Sequence, residues 1–433
     1  MSSSFDFDRQ ITAWLDEQAP MHEPEDLAEV ALARTRRTRQ LPGWATLERW
    51  VPMETRYRFG AVPRTGLILV ILATLLALFS AIAVGQQPSP KLPPPLGVAR
   101  NGLIAFDDGG DIYVVNPDGT GRKALTSGPE WETNPVWSQD GTQIAYWSQP
   151  DSKQQSTAAL KVMDADGGNV RALATDLTRS PWSTDVAWSR DGRSLAYSDV
   201  AGRPGLEVDR IMVVPVAGGD PVEVVSPGQD PTWSPDDTLI GYRGGGLTRD
   251  VTNEPVALMV VAADGTNKRS IDKSYTDNPY AFERPQWSPD GQWLAYHGGL
   301  NGAADIRVAA VDGSSVKALD HGAVAGVWPV WSLDGTRLAY ESPSSTVGYQ
   351  VTLIDADGSH VTVLKHPPLG CNCGVGWSPD GTRLTAYQDG PVVGHEDTGG
   401  ATLIIDPTGT VPPLAIPFSG LSNQSVSWQR LAP

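Results

Sequence analysis

Aromatic rings set beside Arg and Glu on irregular stretches are the residues of this 433-residue chain best suited to ligand chemistry. Trp131-Glu132, Trp182, the run Tyr280-Ala281-Phe282-Glu283-Arg284, and Trp328 each stand just ahead of an apolar strand. Rings give flat apolar area, and the guanidinium and carboxylates give directed hydrogen bonds, as a sugar- or peptide-binding funnel requires. Covalent chemistry has less to build on. No G-x-S-x-G, H-E-x-x-H or Walker A string occurs, and His395-Glu396-Asp397-Thr398-Gly399 stops short of the zinc pattern. The D-x-D-G strings at Asp164–Gly167 and Asp355–Gly358 lack the later carboxylates of a calcium loop and read as turns. Cys371 and Cys373 can pair across one residue, bind a metal with His366 as the nearest third ligand, or stay thiols. Two ligands so close make a poor metal site. The expectation is a binding protein with no catalysis, metal or cofactor.

The elements that must position these residues are written as a repeat. Trp287–Gly291 and Trp377–Gly381 read WSPDG, with near-copies at Trp137–Gly141, Trp188–Gly192, Trp233–Asp237 and Trp331–Gly335. Each is a tight turn in which Asp bonds local backbone, Pro presets φ in the three copies that have it, and Gly takes the left-handed conformation in five. A short apolar strand follows (QIAYW, SLAYS, LIGYR, WLAYH, RLAYE, RLTAY), and then a second apolar run ending in a turn such as DADG. The second run occurs seven times against six turns. Asn101-Gly102-Leu103-Ile104-Ala105-Phe106 supplies the back half of the missing copy, and Val426-Ser427-Trp428 the front half. The Trp spacing of 44 to 54 residues, with four short strands per unit, predicts an all-β, seven-bladed propeller over 101–433. The C-terminal strand closes it, and a six-bladed ring is the alternative. All WSPDG and DADG turns then fall on one face, and the irregular loops carrying the candidate residues on the other.

Charge and hydropathy organise the rest. A net charge of −17, most of it beyond residue 65, argues against nucleic-acid binding, which needs cations to neutralise phosphates. Gly66–Gly85 is an uncharged apolar run about 30 Å long as a helix, enough for one transmembrane helix. Arg49, Arg56, Arg58 and Arg64 precede it closely, so the N-terminus lies in the cytoplasm and the propeller outside a bacterial cytoplasmic membrane. Residues 86–100 hold a Pro-rich, extended linker. In the cytoplasmic segment 1–65, Phe7, Ile11, Trp14 and Leu15 share one face of a short helix, and a second helix runs from Pro24 into arginines. Two such helices need the membrane surface or a cytosolic protein partner.

The W-S-P-D-G-x-x-I/L-A-Y repeat resembles that of TolB-type WD-like propellers of the bacterial envelope, and of the propellers of prolyl-oligopeptidase-type peptidases. The resemblance covers residues 101–433 and implies the propeller fold; function it specifies weakly. The cytosolic segment with one span also resembles membrane-anchored anti-sigma factors, although no cysteine ligand occurs there. The expected function is a membrane-anchored propeller binding a protein, peptide or glycan in the cell envelope. The alternative is a transmembrane signalling protein whose residues 1–65 engage a cytosolic regulator.

Overall fold

The computed structural model describes residues 99–150, 157–177, 186–201, 208–245, 256–276, 284–298, 305–319, 327–344, 348–366, 369, 374–389, 400–418 and 426–431. The N-terminal helices, the span Gly66–Gly85, and Trp182, Tyr280, Phe282, Glu283, Cys371 and Cys373 lie outside the described residues. So does the linker up to residue 98, while Arg100 already belongs to a strand. Among the described residues no helix is long and apolar enough to cross a membrane.

These residues form seven four-stranded antiparallel sheets. Blade 2 is typical, running Trp131–Trp137, Gln143–Gln149, Ala158–Asp164 and Arg171–Leu177 from the axis outward. Blades 3 to 7 begin with the inner strands Val186–Trp188, Gln229–Trp233, Gln286–Trp287, Val327–Trp331 and Val375–Trp377. Blade 1 is composite. Its inner strand Val426–Leu431 pairs with Arg100–Asp108, setting Trp428 opposite Ile104 and Val426 opposite Phe106. The ring is therefore seven-bladed and sealed between the two ends of the described chain, which disposes of the six-bladed alternative.

The repeated pentapeptide folds identically each time. The Ser hydroxyl donates to the Asp carboxylate at 2.5 to 2.8 Å and accepts from the backbone N–H five residues on. The fifth residue then turns back with φ of 69° to 71° where it is Gly. Burial alone would raise the Asp140, Asp236, Asp334 and Asp380 carboxyls, but the Ser, Thr and backbone hydrogen bonds outweigh it and hold all four below the ordinary aspartate range.

Blades pack face to face through apolar clusters. Between blades 1 and 2, for example, Ala105, Ile112 and Val114 meet Trp137, Ile144, Tyr146 and Met163. The motif Trp adds a directional bond. The indole N–H of Trp188, Trp233, Trp287, Trp331 and Trp377 donates to the carbonyl of Val136, Ala187, Thr232, Gln286 and Val330, each in the preceding blade, at 3.0 to 3.4 Å.

Closure uses other groups. Gln429 accepts from Leu103 N and donates to Gly141 O, Ser427 Oγ accepts from Trp137 N, and Asn101 Oδ1 accepts from Asp380 N. Gly141 is required here, since a Cβ would stand 2.2 Å from the Arg430 carbonyl. Deleting residues 425–433 should remove the buried Trp428 and strip Arg100–Asp108 of its inner-edge partner, a loss of about 3–5 kcal/mol from the indole alone. Thermal unfolding checks this: the truncated chain should melt far lower or aggregate, and an unchanged melting temperature would refute closure by this strand.

Candidate functional site

Inner strands of all seven blades line a cavity of about 640 Å³ on the propeller axis. The strand edges facing it have no strand partner, so proline is tolerated there, and Pro231, Pro285 and Pro329 line the cavity. Each stands two residues before a motif Trp, and the residue before each Pro is the decisive one. Asp230, Arg284 and Trp328 have φ of 54°, 48° and 51°, as do Asn134 at 56° and Gly374 at 99° in blades 2 and 7. Five blades thus place a left-handed residue three positions before the Trp, on the loop face. The kink ends regular pairing in the inner strand; register shifts fall there in blades 2, 4 and 6.

A neighbouring blade secures two of these kinks. Asp107 accepts from Asn134 N at 3.4 Å, and Ser198 Oγ accepts from Asp230 N at 3.1 Å. Asp107 and Ser198 follow the buried aromatics Phe106 and Tyr197 on second strands; Arg243, His297 and Glu341 occupy that position in blades 4 to 6 and are buried as well. Arg243 donates to Gln229 within its own blade at 2.7 Å.

The candidate residues separate. Arg284 and Trp328 come together at the loop-face mouth, the guanidinium stacked 4.5 Å from the Trp328 ring, with Gly374 beside both. Both side chains line the channel at that mouth. Trp131 and Glu132 sit instead at the joint of blades 1 and 2. Trp131 covers Gly110, where a Cβ would lie 2.5 Å from its ring, and Glu132 N donates to Gly110 O. The Glu132 side chain is buried, and desolvation raises its carboxyl despite a hydrogen bond from Thr126. Sequence reasoning passed over Asp230 and Asn134, although the recurring X-Pro-X-Trp was the available signal. Among the described residues no group of His, Cys, Asp and Glu side chains is arranged to hold a metal ion.

The turn-face mouth is positively charged. Arg190 and Arg430 both line it, burial lowers both guanidinium groups, and Arg190 lowers Arg430 further. Asp237, which replaces the motif Gly in blade 4 at φ 60°, reaches back to blade 3 and accepts from Arg190 N at 2.6 Å and Asp191 N at 3.0 Å. Asn101 makes the equivalent bond from blade 1 to Asp380 N.

No family model matches the chain. A dipeptidyl-peptidase 5 of Porphyromonas endodontalis is similar to it, 35% identical over 100 residues, 23% of this chain and 13% of that protein. An uncharacterised peptidase of Bacillus subtilis is 28% identical over 196 residues, 45% of this chain and 26% of that protein. An uncharacterised protein of Agrobacterium fabrum is 26% identical over 221 residues, 48% of this chain and 71% of that protein. The match thus spans only a small part of either peptidase.

Solved structures share the fold. A puromycin-hydrolysing peptidase of Mycobacterium tuberculosis superposes with a TM-score of 0.51 at 17% identity, over 77% of this chain and 56% of that one. An oligogalacturonate lyase in complex with manganese gives 0.50 at 14%, over 64% and 79%. TolB of Acinetobacter baumannii is also a neighbour, at 0.49 and 15%, over 75% and 82%.

The peptidase names overturn the expectation of a non-catalytic binding protein. That expectation rested on a search for nucleophile strings inside the chain, whereas the similarity runs through sequence that carries no such string.

One structural prediction concerns the turn-face latch. Asp237→Gly would relieve a left-handed backbone but lose two charge-assisted bonds of about 1.5–3 kcal/mol each, so the propeller should be destabilised by about 1–3 kcal/mol. Chemical denaturation measures this, and a variant as stable as the parent would show that Asp237 does not join blades 3 and 4.

Proposed function

We propose that the propeller serves peptide hydrolysis, receiving extended peptide segments at the loop-face mouth of its axial channel for cleavage by groups outside the described residues. The similarity to two proteins named as peptidases carries this reading, and the channel gives it a place to act. Arg284 donates to peptide carbonyls or a terminal carboxylate, while Trp328 supplies apolar surface and holds the guanidinium by stacking. The left-handed backbone at both positions fixes their aim, so little ordering is left for binding to do.

In the same reading Gly66–Gly85 is a single span with the propeller outside the cytoplasmic membrane, and residues 1–65 face cytosolic lipid or protein. The arginines ahead of the span support that orientation. A reporter active only outside the cytoplasm, fused after Pro433, should be active; activity of a cytoplasm-only reporter in its place would reverse the topology.

The hydrolytic reading is tested on the full-length chain isolated from membranes with whatever accompanies it, using fluorogenic dipeptide and prolyl-peptide substrates. Peptides should be cleaved, and Arg284→Ala and Trp328→Ala should each raise KM about tenfold, roughly 1.4 kcal/mol, with kcat nearly unchanged. Absence of cleavage across a mixed peptide library, or kinetics untouched by both variants, would remove the proposal.

A further inference from the structure

Away from the axis, a second cavity of about 400 Å³ opens between blades 2 and 3, in the size range of small-molecule sites, about 300–1,000 Å³. Its walls are unequal. Leu173, Ala174 and Leu177 of blade 2 make one side apolar, while Tyr197, Asp199 and Arg210 of blade 3, with Met212 beside Tyr197, make the other mostly polar. Tyr197 is fully buried and Asp199 is 4% exposed, yet neither Tyr197 Oη nor Asp199 Oδ1 has a hydrogen-bond partner. The other Asp199 oxygen takes Arg210 Nη2 at 2.7 Å and Nε at 3.1 Å. A buried hydroxyl and carboxylate oxygen without partners cost about 1–3 kcal/mol each.

The repeat supplies its own controls. In blades 2, 3 and 4 the outer pairing carries a register shift, and the residue after it lies against the tyrosine of the next blade. At the joint of blades 4 and 5 that residue is Asp272, which accepts the Tyr296 hydroxyl. At the joint of blades 3 and 4 it is Val225, packed with Tyr242. At the joint of blades 2 and 3 it is Ala174, the smallest of the three, and there the cavity lies.

We propose that this cleft binds a small neutral polyol, one hydroxyl accepting from Tyr197 and a neighbouring hydroxyl donating to Asp199 Oδ1. Charge and donor balance select that class. An anion would meet Asp199 and Asp220 in the lining, with Glu223 3.4 Å from Arg210. A cation would meet Arg210 and leave the Tyr197 proton with no acceptor. Burial and the Asp199 charge push the Tyr197 hydroxyl upward, so it remains a proton donor at physiological pH. The carbon skeleton of the polyol rests on Leu173, Leu177 and Met212. This site is independent of the channel and of peptide hydrolysis.

Glycerol, erythritol, xylitol and sorbitol are the probes, titrated at millimolar concentration into the full-length protein with ligand-observed NMR and calorimetry. At least one should bind saturably. Ala174→Val, which copies the joint of blades 3 and 4, should abolish that binding. Tyr197→Phe keeps the ring packed on Trp147 and should weaken it about tenfold, and it decides the matter alone if Ala174→Val does not fold. No saturable binding by any probe, as for a cleft holding water only, overturns the proposal; so does binding unchanged in both variants.

Discussion

The hydrogen bond from an indole N–H to the inner-strand carbonyl of the preceding blade is the constraint on which this ring depends. An inner strand has one edge paired and one facing the axis, and carbonyls on the free edge must find donors or water. Val136, Ala187, Thr232, Gln286 and Val330 find theirs in the next blade's Trp. Each bond contributes about 1 kcal/mol net, but its directionality matters more than its size, because it fixes the angle and stagger between successive blades. The large indole also fills the narrow gap near the axis, so one residue type serves both needs. The two Trp side chains that do not make this bond, Trp137 and Trp428, belong to blades 1 and 2, where the ring is sealed. There Ser427 and Gln429 replace it with bonds that only a closing strand can offer.

This division explains what could be read from the sequence. The blade count, the turn face and the closing strand were legible because local chemistry dictates them: Ser, Asp and Gly act within five residues of one another. The split of the motif between Asn101 and Trp428 was visible for the same reason. The site was legible only in part. Arg284 and Trp328 were singled out as polar and aromatic residues ahead of strands, and both line the channel. Trp131 had the same appearance but lies over Gly110, because a glycine in the neighbouring blade leaves room for its ring. No local pattern distinguishes these outcomes, since the deciding partner lies in another repeat. Tyr197 and Asp199 were hidden more completely. Tyr197 is one of five equivalent tyrosines, with Tyr146, Tyr242, Tyr296 and Tyr340, and only the residue facing it across the joint makes it different.

The similarity to proteins named as peptidases escaped the motif search for a related reason. Sequence motifs of hydrolases mark the nucleophile, and the repeats contain none. A propeller contributes to catalysis through what it admits and orients, which is a property of channel and rim. Those features come from side chains that depart from the repeat, at positions where the repeat itself imposes only backbone shape. The left-handed position three residues before the Trp is such a place: the fold demands the φ value, while the side chain is Asn, Asp, Arg, Trp or absent.

The rim therefore varies in chemistry while its geometry stays fixed, and the channel inherits both properties. Its bore is set by seven inner strands joined through Trp and turn bonds, so widening it requires breaking at least one joint at full cost in buried surface. Thermal motion that leaves the joints intact does not enlarge it by the width of a folded chain. Entry by an extended segment, as proposed for the function, requires no such rupture, because the backbone alone is narrow and Arg284 and Trp328 stand at the mouth. Under that proposal, selection by chain extension follows from the ring being closed, and selection by sequence is left to the few side chains that the left-handed positions hold in place.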